Sequence, residues 1–358
     1  MRALAPNAPR EIPRKSAAQA RAGLVTGPTW TTACPDWESR IVEGRSLITF
    51  APLFPAEAQA ALAVFDDLTL VDVAGSPKAG AVSRAWTRDF VGTVFGAYDP
   101  SSGRRLIQNY LLSISKKNAK STLAAGIMLT ALIRNWRRSG EFSILAPTIE
   151  VAQNSFKPAR DMVAADEELS DLLHVQPSVR TITHRGTGAS LKVLAADSQT
   201  VSGKKSIGVL VDELWQFGLM ADAENMLREA TGGLASRPEG FVIYLTTQSD
   251  KPPAGVFDKR LKYFRGVRDG TIVDPRSLGV LYEFPKAMVA AEAYRDQANW
   301  HITNPNLGAS VDLQFLADKF REDSAGGPSS LAGFFAKHLN VEIGLALASD
   351  SWVGAQYW

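Results

Sequence analysis

The sequence predicts an α/β protein: a mostly parallel sheet flanked by helices, followed by a small C-terminal helical subdomain. Three observations carry that prediction. Short apolar runs alternate with helical patterns between residues 106 and 245. Three of those runs end in groups suited to phosphate chemistry: Ser113 with the loop after it, Asp212-Glu213, and Thr246-Thr247-Gln248. Beyond residue 250 the strand pattern gives way to breaker clusters and helical runs.

Residues 106–113 (LIQNYLLS) are apolar, follow Gly103 and read as a strand. A polar loop, 114–119, comes next. Residues 121–136 carry Leu123, Ile127, Leu129, Leu132 and Ile133 among alanines, a spacing that suits a buried helix. Arg134, Arg137 and Arg138 stand near its C-terminal end, where cations favour the helix dipole. A second strand, 142–146, closes at Pro147-Thr148, before a helix with Phe156, Met162 and Val163. Two β-like runs follow, 179–183 and 190–195, separated by Gly186 and Gly188. Residues 207–211 form an apolar strand, 222–230 a helix and 241–245 a further strand. Lys251-Pro252-Pro253 then breaks the pattern. Asn304-Pro305-Asn306-Leu307-Gly308 precedes a helical run with Leu313, Phe315, Leu316 and Phe320, and Gly326-Gly327-Pro328 precedes a helix over 331–339. The expected organisation is a flexible basic segment over 1–45, a nucleotide-binding core over 46–250, and a helical linker or lid over 251–358.

Composition narrows the function classes. The chain has 358 residues, 45% hydrophobic and 21% charged, ordinary values for a globular protein. Its net charge of +2, from 39 basic and 37 acidic residues, neither demands nor excludes nucleic acid, because a basic surface can be local. One cysteine, Cys34, allows no internal disulfide, and four dispersed histidines argue against a zinc site. No apolar run reaches the 18 or so residues of a membrane span. The first 22 residues carry Arg2, Arg10, Arg14, Lys15 and Arg21 against Glu11, without the apolar centre of a signal peptide. They read as a flexible basic tail, or as one that also touches DNA phosphates.

Residues 113–122, Ser-Ile-Ser-Lys-Lys-Asn-Ala-Lys-Ser-Thr, match the phosphate-loop pattern G-x-x-x-x-G-K-[ST] at its last two positions, Lys120 and Ser121. Ile114 and Ala119 stand where glycine is expected, so Ala119 must reach a left-handed conformation at some energetic cost. The backbone over Lys117, Asn118, Ala119, Lys120, Ser121 and Thr122 would cradle phosphate at a helix N-terminus. Lys120 would add a positive charge, and the Ser121 hydroxyl would ligate Mg²⁺. The same composition also fits a solvated helix cap. Asp212 and Glu213 end an apolar strand at the edge where open α/β sheets bind ligands. Asp212 suits Mg²⁺ and Glu213 suits polarising a water, although a solvated acidic turn has the same residues. Thr246, Thr247 and Gln248 end a third strand at that edge, where polar groups can sense a γ-phosphate. Together the three strand ends predict a P-loop NTPase core of the RecA/ASCE type that uses ATP and Mg²⁺.

In this combination the chain resembles the large terminase subunit of tailed bacteriophages over about residues 50 to 350. The residues that carry the likeness are Trp86, Phe95-Gly96, Lys116-Lys117-Asn118-Ala119-Lys120-Ser121, Val211-Asp212-Glu213, Thr246-Thr247, Asn304-Pro305-Asn306-Leu307-Gly308 and Leu339-Asn340. The resemblance implies a catalytic role for Glu213, a γ-phosphate contact for Lys116, and phosphate and Mg²⁺ binding by Lys120, Ser121 and Asp212. Arg237 would be an arginine finger reaching a neighbouring subunit's ATP, although beside Pro238 it also reads as a surface turn residue. Two departures stand out. Ala119 replaces the family's glycine, which predicts slow hydrolysis, and Thr87 follows Trp86 where a glutamine would read adenine.

The resemblance further implies an ATP-driven motor for double-stranded DNA, acting with a portal protein, a small terminase subunit and copies of itself in a ring, in the host cytoplasm. Family members continue into a metal-dependent nuclease, for which Asp350 alone is insufficient, so no nuclease activity is expected of these residues. The basic stretch Lys259, Arg260, Lys262, Arg265 and Arg268, with Tyr263 and Phe264, is a candidate DNA or neighbour contact, or else a solvated helix face. Two rival readings remain open: a helicase-like DNA-dependent ATPase, and a docking subunit that binds nucleotide with little or no turnover.

Overall fold

The apolar runs become strands of one eight-stranded sheet, in the order β10-β3-β9-β8-β4-β7-β6-β5. The computed structural model describes residues 28–196 and 206–344; the basic residues Arg2 to Arg21, and Asp350, lie outside them. Two short strands, β1 (Tyr98–Asp99) and β2 (Arg104–Arg105), form a separate ribbon. The core strands are β3 (Asn109–Ser113), β4 (Glu141–Ala146), β7 (Ser190–Ala195), β8 (Ser206–Val211), β9 (Phe241–Thr246) and β10 (Ser277–Leu281). Each neighbouring pair among these six is parallel. β5 (Leu173–Gln176) and β6 (Thr181–His184) extend one edge as antiparallel neighbours.

Both faces of the sheet are covered, which is why its central strands read as continuous apolar runs. Every residue of β8 and β9 is buried. Alternate side chains serve opposite faces. Tyr110, Leu112, Ile243 and Leu245 join one core cluster, with helices α2 (Pro55–Asp67), α4 (Ala85–Phe95), α5 (Lys120–Ile133) and α6 (Ile149–Ala164) contributing Phe65, Phe90, Ile127 and Phe156. Leu111, Val242 and Tyr244 join the other cluster, together with Phe217 of α8 (Leu214–Phe217), Leu227 of α9 (Ala223–Gly232), and Phe257 and Phe264 of α10 (Gly255–Arg268).

Register decides where the chemistry lies. Ser113 pairs with Thr246, and Val211 with Tyr244, so β3, β9 and β8 end level on one edge of the sheet. β9 sits between the loop-bearing strand and the carboxylate-bearing strand. That placement leaves a cleft bounded by three strand ends, the position at which open α/β sheets bind ligands.

Three regions depart from the sequence reading. Residues 28–45, assigned to a flexible segment, contain α1 (Trp37–Val42), with Cys34, Trp37 and Ile41 buried. Their anchor lies far along the chain: the Arg268 guanidinium rests 3.8 Å from the centroid of the Trp37 ring, and Cys34 N donates to Arg268 O. The core also extends past residue 250, because β10 pairs with β3 along its whole length. The remaining C-terminal elements are helical, chiefly α11 (Lys286–Ala290), α12 (Leu313–Ala325) and α13 (Pro328–Leu339), and short α3 (Ala79–Val82) and α7 (Glu167–Leu172) lie earlier in the chain.

The third departure lies within the basic stretch on α10, at Arg265 and Arg268, whereas Lys259 and Lys262 stand on an exposed face. Lys259 pairs with Glu224, Lys262 with Asp258, Arg265 with Glu283 and Glu342, and Arg268 with Glu283. Burial alone would raise the Glu283 carboxyl, but Arg265 and Arg268 hold it below its usual range. Arg265 and Arg268 are therefore structural cations, and removing either partner of such a buried group costs about 3–5 kcal/mol. Arg260 alone of the five forms no ion pair among the described residues. The sequence displays these cations, but not the carboxylates that fold back from positions 283 and 342 to meet them.

Candidate active site

The loop after β3 takes its phosphate-cradle shape without glycine. Ala119 has φ 59° and ψ 29°, and Lys117 has φ 69°, both left-handed. Each such L-residue costs roughly 1–2 kcal/mol and persists where its surroundings over-determine it. Here they do. Asn118 is buried; its Nδ2 donates to Ser115 O at 3.1 Å and to Asn304 Oδ1 at 2.9 Å, and its Oδ1 accepts from Asn306 N at 3.1 Å. Ser310 Oγ donates to Lys117 O at 2.6 Å, Ile114 N to Thr246 O at 3.0 Å, and Lys116 N to Lys337 O at 2.8 Å. The Asn304–Gly308 segment is thus the brace of the loop. Ala119→Gly is expected to stabilise the chain by about 0.5–1 kcal/mol, the relieved strain less glycine's extra entropy, read as a rise in melting temperature. An unchanged or lower melting temperature would show that the loop carries no strain at Ala119.

Lys120 opens α5 and folds back over the loop, its Nζ 3.4 Å from both Ile114 O and Ser115 O. Burial pushes its ammonium below the usual lysine range, while the nearby Glu213 and Asp212 oppose that shift. A cation held by two long carbonyl contacts has donor capacity left for a phosphate. Ser121 and Thr122 follow in the first turn of α5, half-buried.

Across the cleft, Asp212 is buried. Its Oδ2 accepts from Ser155 Oγ at 2.7 Å, and its Oδ1 accepts from Glu213 N at 3.0 Å. Burial and the neighbouring Glu213 push its carboxyl up to about 6, with Ser155 and Lys120 opposing. Glu213 turns the chain sharply at φ 53° and ψ 49°, and its carboxylate accepts from the Trp215 indole N–H at 2.6 Å. Trp215 N in turn donates to Thr246 Oγ1 at 3.1 Å, which links the ends of β8 and β9. Thr246 and Thr247 are fully buried and bond along their own backbone.

Several polar atoms at this edge lack partners. Ser115 Oγ and both amide atoms of Gln248 are buried with no hydrogen bond. An unsatisfied buried polar group costs about 1–3 kcal/mol, so clustering at a phosphate loop points to a polar ligand or water. A hard cation also fits this donor set. Among the described residues no group of three His, Cys, Asp or Glu side chains is placed to hold a metal. Mg²⁺ needs just one or two carboxylates when phosphate and water supply its other ligands. Asp212 and the Ser121 hydroxyl would be oxygen donors of the kind that role needs.

Beside the loop lies a cavity of about 280 Å³ with largely apolar walls, including Phe65, Leu70, Trp86 and Leu123, bordered by Asn118 and Thr122. Its position against the first turn of α5 suits a base joined to phosphates in the loop. Trp86 is fixed there by its indole N–H donating to Asn306 Oδ1 at 2.8 Å, and Thr87 lines the same cavity. Arg237 is elsewhere. It lies before the first residue of β9, roughly 20 Å of strand from Thr246, so it is no member of its own chain's site. Ser155, Trp215 and Lys337 are site residues that sequence reasoning missed. No local pattern marks Ser155 or Lys337, since each arrives from a distant helix; Trp215 stands two residues after Glu213 and was open to inspection.

A phosphate loop, an acidic strand end and an intervening Thr-Thr strand on one parallel sheet define the P-loop ATPase class. A family model of the terminase large subunit ATPase domain matches residues 85–266, just over half of the chain. The chain belongs to the terminase large subunit family through that ATPase domain. It is 25% identical over 239 residues to the terminase large subunit of Enterobacteria phage HK97, covering 65% of this chain and 43% of that protein. It is 21% identical over 245 residues to that of Lactococcus phage p2, covering 66% and 42% respectively. The chain thus spans less than half the length of these relatives. The crystal structure of the HK97 bacteriophage large terminase superposes with a TM-score of 0.66 at 22% identity, over 81% of this chain and 57% of that one, and so shares its fold. No helix among the described residues is long and apolar enough to cross a membrane.

Proposed function

We propose that this chain is the Mg²⁺-dependent ATP-hydrolysing part of a packaging motor that drives double-stranded DNA into a procapsid. The observation that carries the reading is the meeting of Lys120, Asp212-Glu213 and Thr246 on one sheet edge, with orphaned polar atoms facing it. Lys116 to Thr122 hold the phosphates, and Ser121 and Asp212 hold Mg²⁺, which supplies charge neutralisation at the phosphates when bound. Glu213 accepts the proton of the attacking water. Thr246 and Thr247 carry the loss of the γ-phosphate from β9 to the rest of the chain. Arg237, remote from its own site, acts across a subunit boundary in a ring, which assembles with a portal protein and a small terminase subunit in the host cytoplasm.

For DNA we favour a surface that shares only Arg260 with the basic stretch of α10. Arg104, Arg260 and Arg276 line a cavity of about 450 Å³ at the opposite edge of the sheet, with Tyr244 among its walls. They form no ion pair among the described residues. Three such guanidinium groups suit a phosphodiester backbone. The test is phosphate release from ATP with and without blunt duplex DNA, beside calorimetric ATP binding. Turnover stimulated by duplex supports the motor, with Arg104→Ala/Arg276→Ala losing the stimulation at moderate salt while keeping basal turnover. Binding without release would instead favour the docking reading, and strand separation the helicase-like one.

A further inference from the structure

The end of α13 is fastened to the catalytic edge at several points. Lys116 N donates to Lys337 O at 2.8 Å, and Lys337 Nζ donates to Gln248 O at 2.9 Å. Asn340 Oδ1 accepts from Gln248 N at 2.8 Å, while Asn340 Nδ2 donates to Ser113 Oγ at 3.1 Å and Tyr282 O at 2.7 Å. Asn340 serves strand ends as a structural bracket. Lys337 does something different.

Its ammonium lies 3.0 Å from the centroid of the Trp215 ring, nearer than its ion-pair partner Asp250, at 4.0 Å. The same indole donates its N–H to Glu213 Oε2 at 2.6 Å. A cation on the face of an indole draws electron density from the ring and strengthens the N–H at its edge as a donor. One rigid ring therefore links the charge of Lys337 to the carboxylate of Glu213. A buried ammonium whose carboxylate partner stands off at 4.0 Å is an expensive way to fill space, and an apolar side chain of similar length would pack there more cheaply.

We propose that Lys337 is a positioning residue of the ATPase site: through the Trp215 indole it sets the orientation and hydrogen bonding of Glu213, and so ties the catalytic carboxylate to the chain that leaves α13. The inference rests on the reading of Glu213 given above. The charged groups that face Lys337 are Asp250 after β9, Lys116 and Lys120 of the loop, and Glu213 before α8. Burial, with Lys116 and Lys120 adding to it, holds the Lys337 ammonium down at about 7, against the pull of Asp250 and Glu213. Its charge is thus adjustable near neutral pH, and the negative charge of bound nucleotide would favour the protonated form.

The test uses the whole chain and two independent readouts. In ¹⁵N–¹H spectra the Trp215 indole signal is identified by its loss in Trp215→Phe. It should titrate with a midpoint near 7 in the unaltered protein, shift in Lys337→Met, and stay flat with pH in Lys337→Arg. In turnover assays Lys337→Met should lower kcat about tenfold, with KM for ATP within about twofold, because orientation of the base is lost while phosphate binding is kept. Lys337→Arg should keep kcat within about threefold and lose the alkaline decline of the unaltered chain, since guanidinium stays charged. An indole signal unmoved by Lys337→Met, or identical pH–rate profiles for the unaltered chain and Lys337→Arg, overturns the inference. If the unaltered chain turns over no ATP, the functional reading of Glu213 fails separately, and the indole titration still decides the Lys337–Trp215 link.

Discussion

Glu213→Gln is expected to bind ATP within a few-fold of the unaltered chain and to hydrolyse it about a thousandfold more slowly. The amide is nearly isosteric and can still accept from the Trp215 indole through its oxygen, so the turn at Glu213 and the contact at 2.6 Å have no reason to break. What disappears is the proton acceptor. A thousandfold corresponds to about 4 kcal/mol of transition-state stabilisation, far above the effect of a lost surface contact. Single-turnover phosphate release beside calorimetric ATP binding separates the two quantities. Undiminished release would remove Glu213 from its proposed role, and lost binding would recast it as a structural anchor.

The second large effect belongs to Asp212→Asn, which should abolish Mg²⁺-dependent turnover and yet raise the stability of the nucleotide-free chain. Burial and Glu213 raise the Asp212 carboxyl from an ordinary value of 3.8 to about 6. Between those values the folded chain keeps a proton that the unfolded chain has lost. Stability therefore falls as pH rises across that window, and the full penalty stands above it. Two pKa units correspond to an order of 2–3 kcal/mol, which an uncharged amide avoids. The melting-temperature difference between variant and unaltered chain, measured without divalent metal, should be small near pH 4 and reach its full size by pH 7. A variant less stable at pH 7 would show that the hydrogen bond from Ser155 outweighs the charge penalty. The expected pairing, more stable and inactive, is the signature of a carboxylate kept buried for its function rather than for the fold.

Much of the sheet edge that carries the proposed phosphate site was legible in the sequence because it is local. Lys120-Ser121 opening a helix, Asp212-Glu213 closing an apolar strand, and Thr246-Thr247 closing another all depend on residues adjacent along the chain. Strand type followed from burial on both faces, which removes the polar alternation of a half-exposed strand. The same local logic failed on α10. Lys259 and Lys262 do stand on an exposed face, Lys262 beside Asp258 one turn back, but Arg265 and Arg268 look like part of it until Glu283 and Glu342 are brought against them. It failed again at residues 28–45, where the helix is held by Trp37 under Arg268, a contact between positions more than two hundred residues apart.

Ala119 divides the two kinds of information. That a non-glycine residue must sit in the left-handed region there was readable from its place in the motif, because the phosphate-loop pattern and the steric cost of φ > 0 are local properties. How the chain tolerates it was not. The brace comes from Asn304, Asn306 and Ser310, nearly two hundred residues downstream, through hydrogen bonds to Asn118 and Lys117. By itself the sequence determined which chemical groups end which strands. The tertiary structure alone decided which strand ends lie level, which cations are already neutralised, and which distant side chains, Ser155, Trp215 and Lys337, surround the carboxylates. The physical reason is the same in each case: local propensity and burial pattern act over a few residues, whereas ion pairs, buried hydrogen bonds and ring contacts are satisfied by whatever the fold brings within 3 to 4 Å.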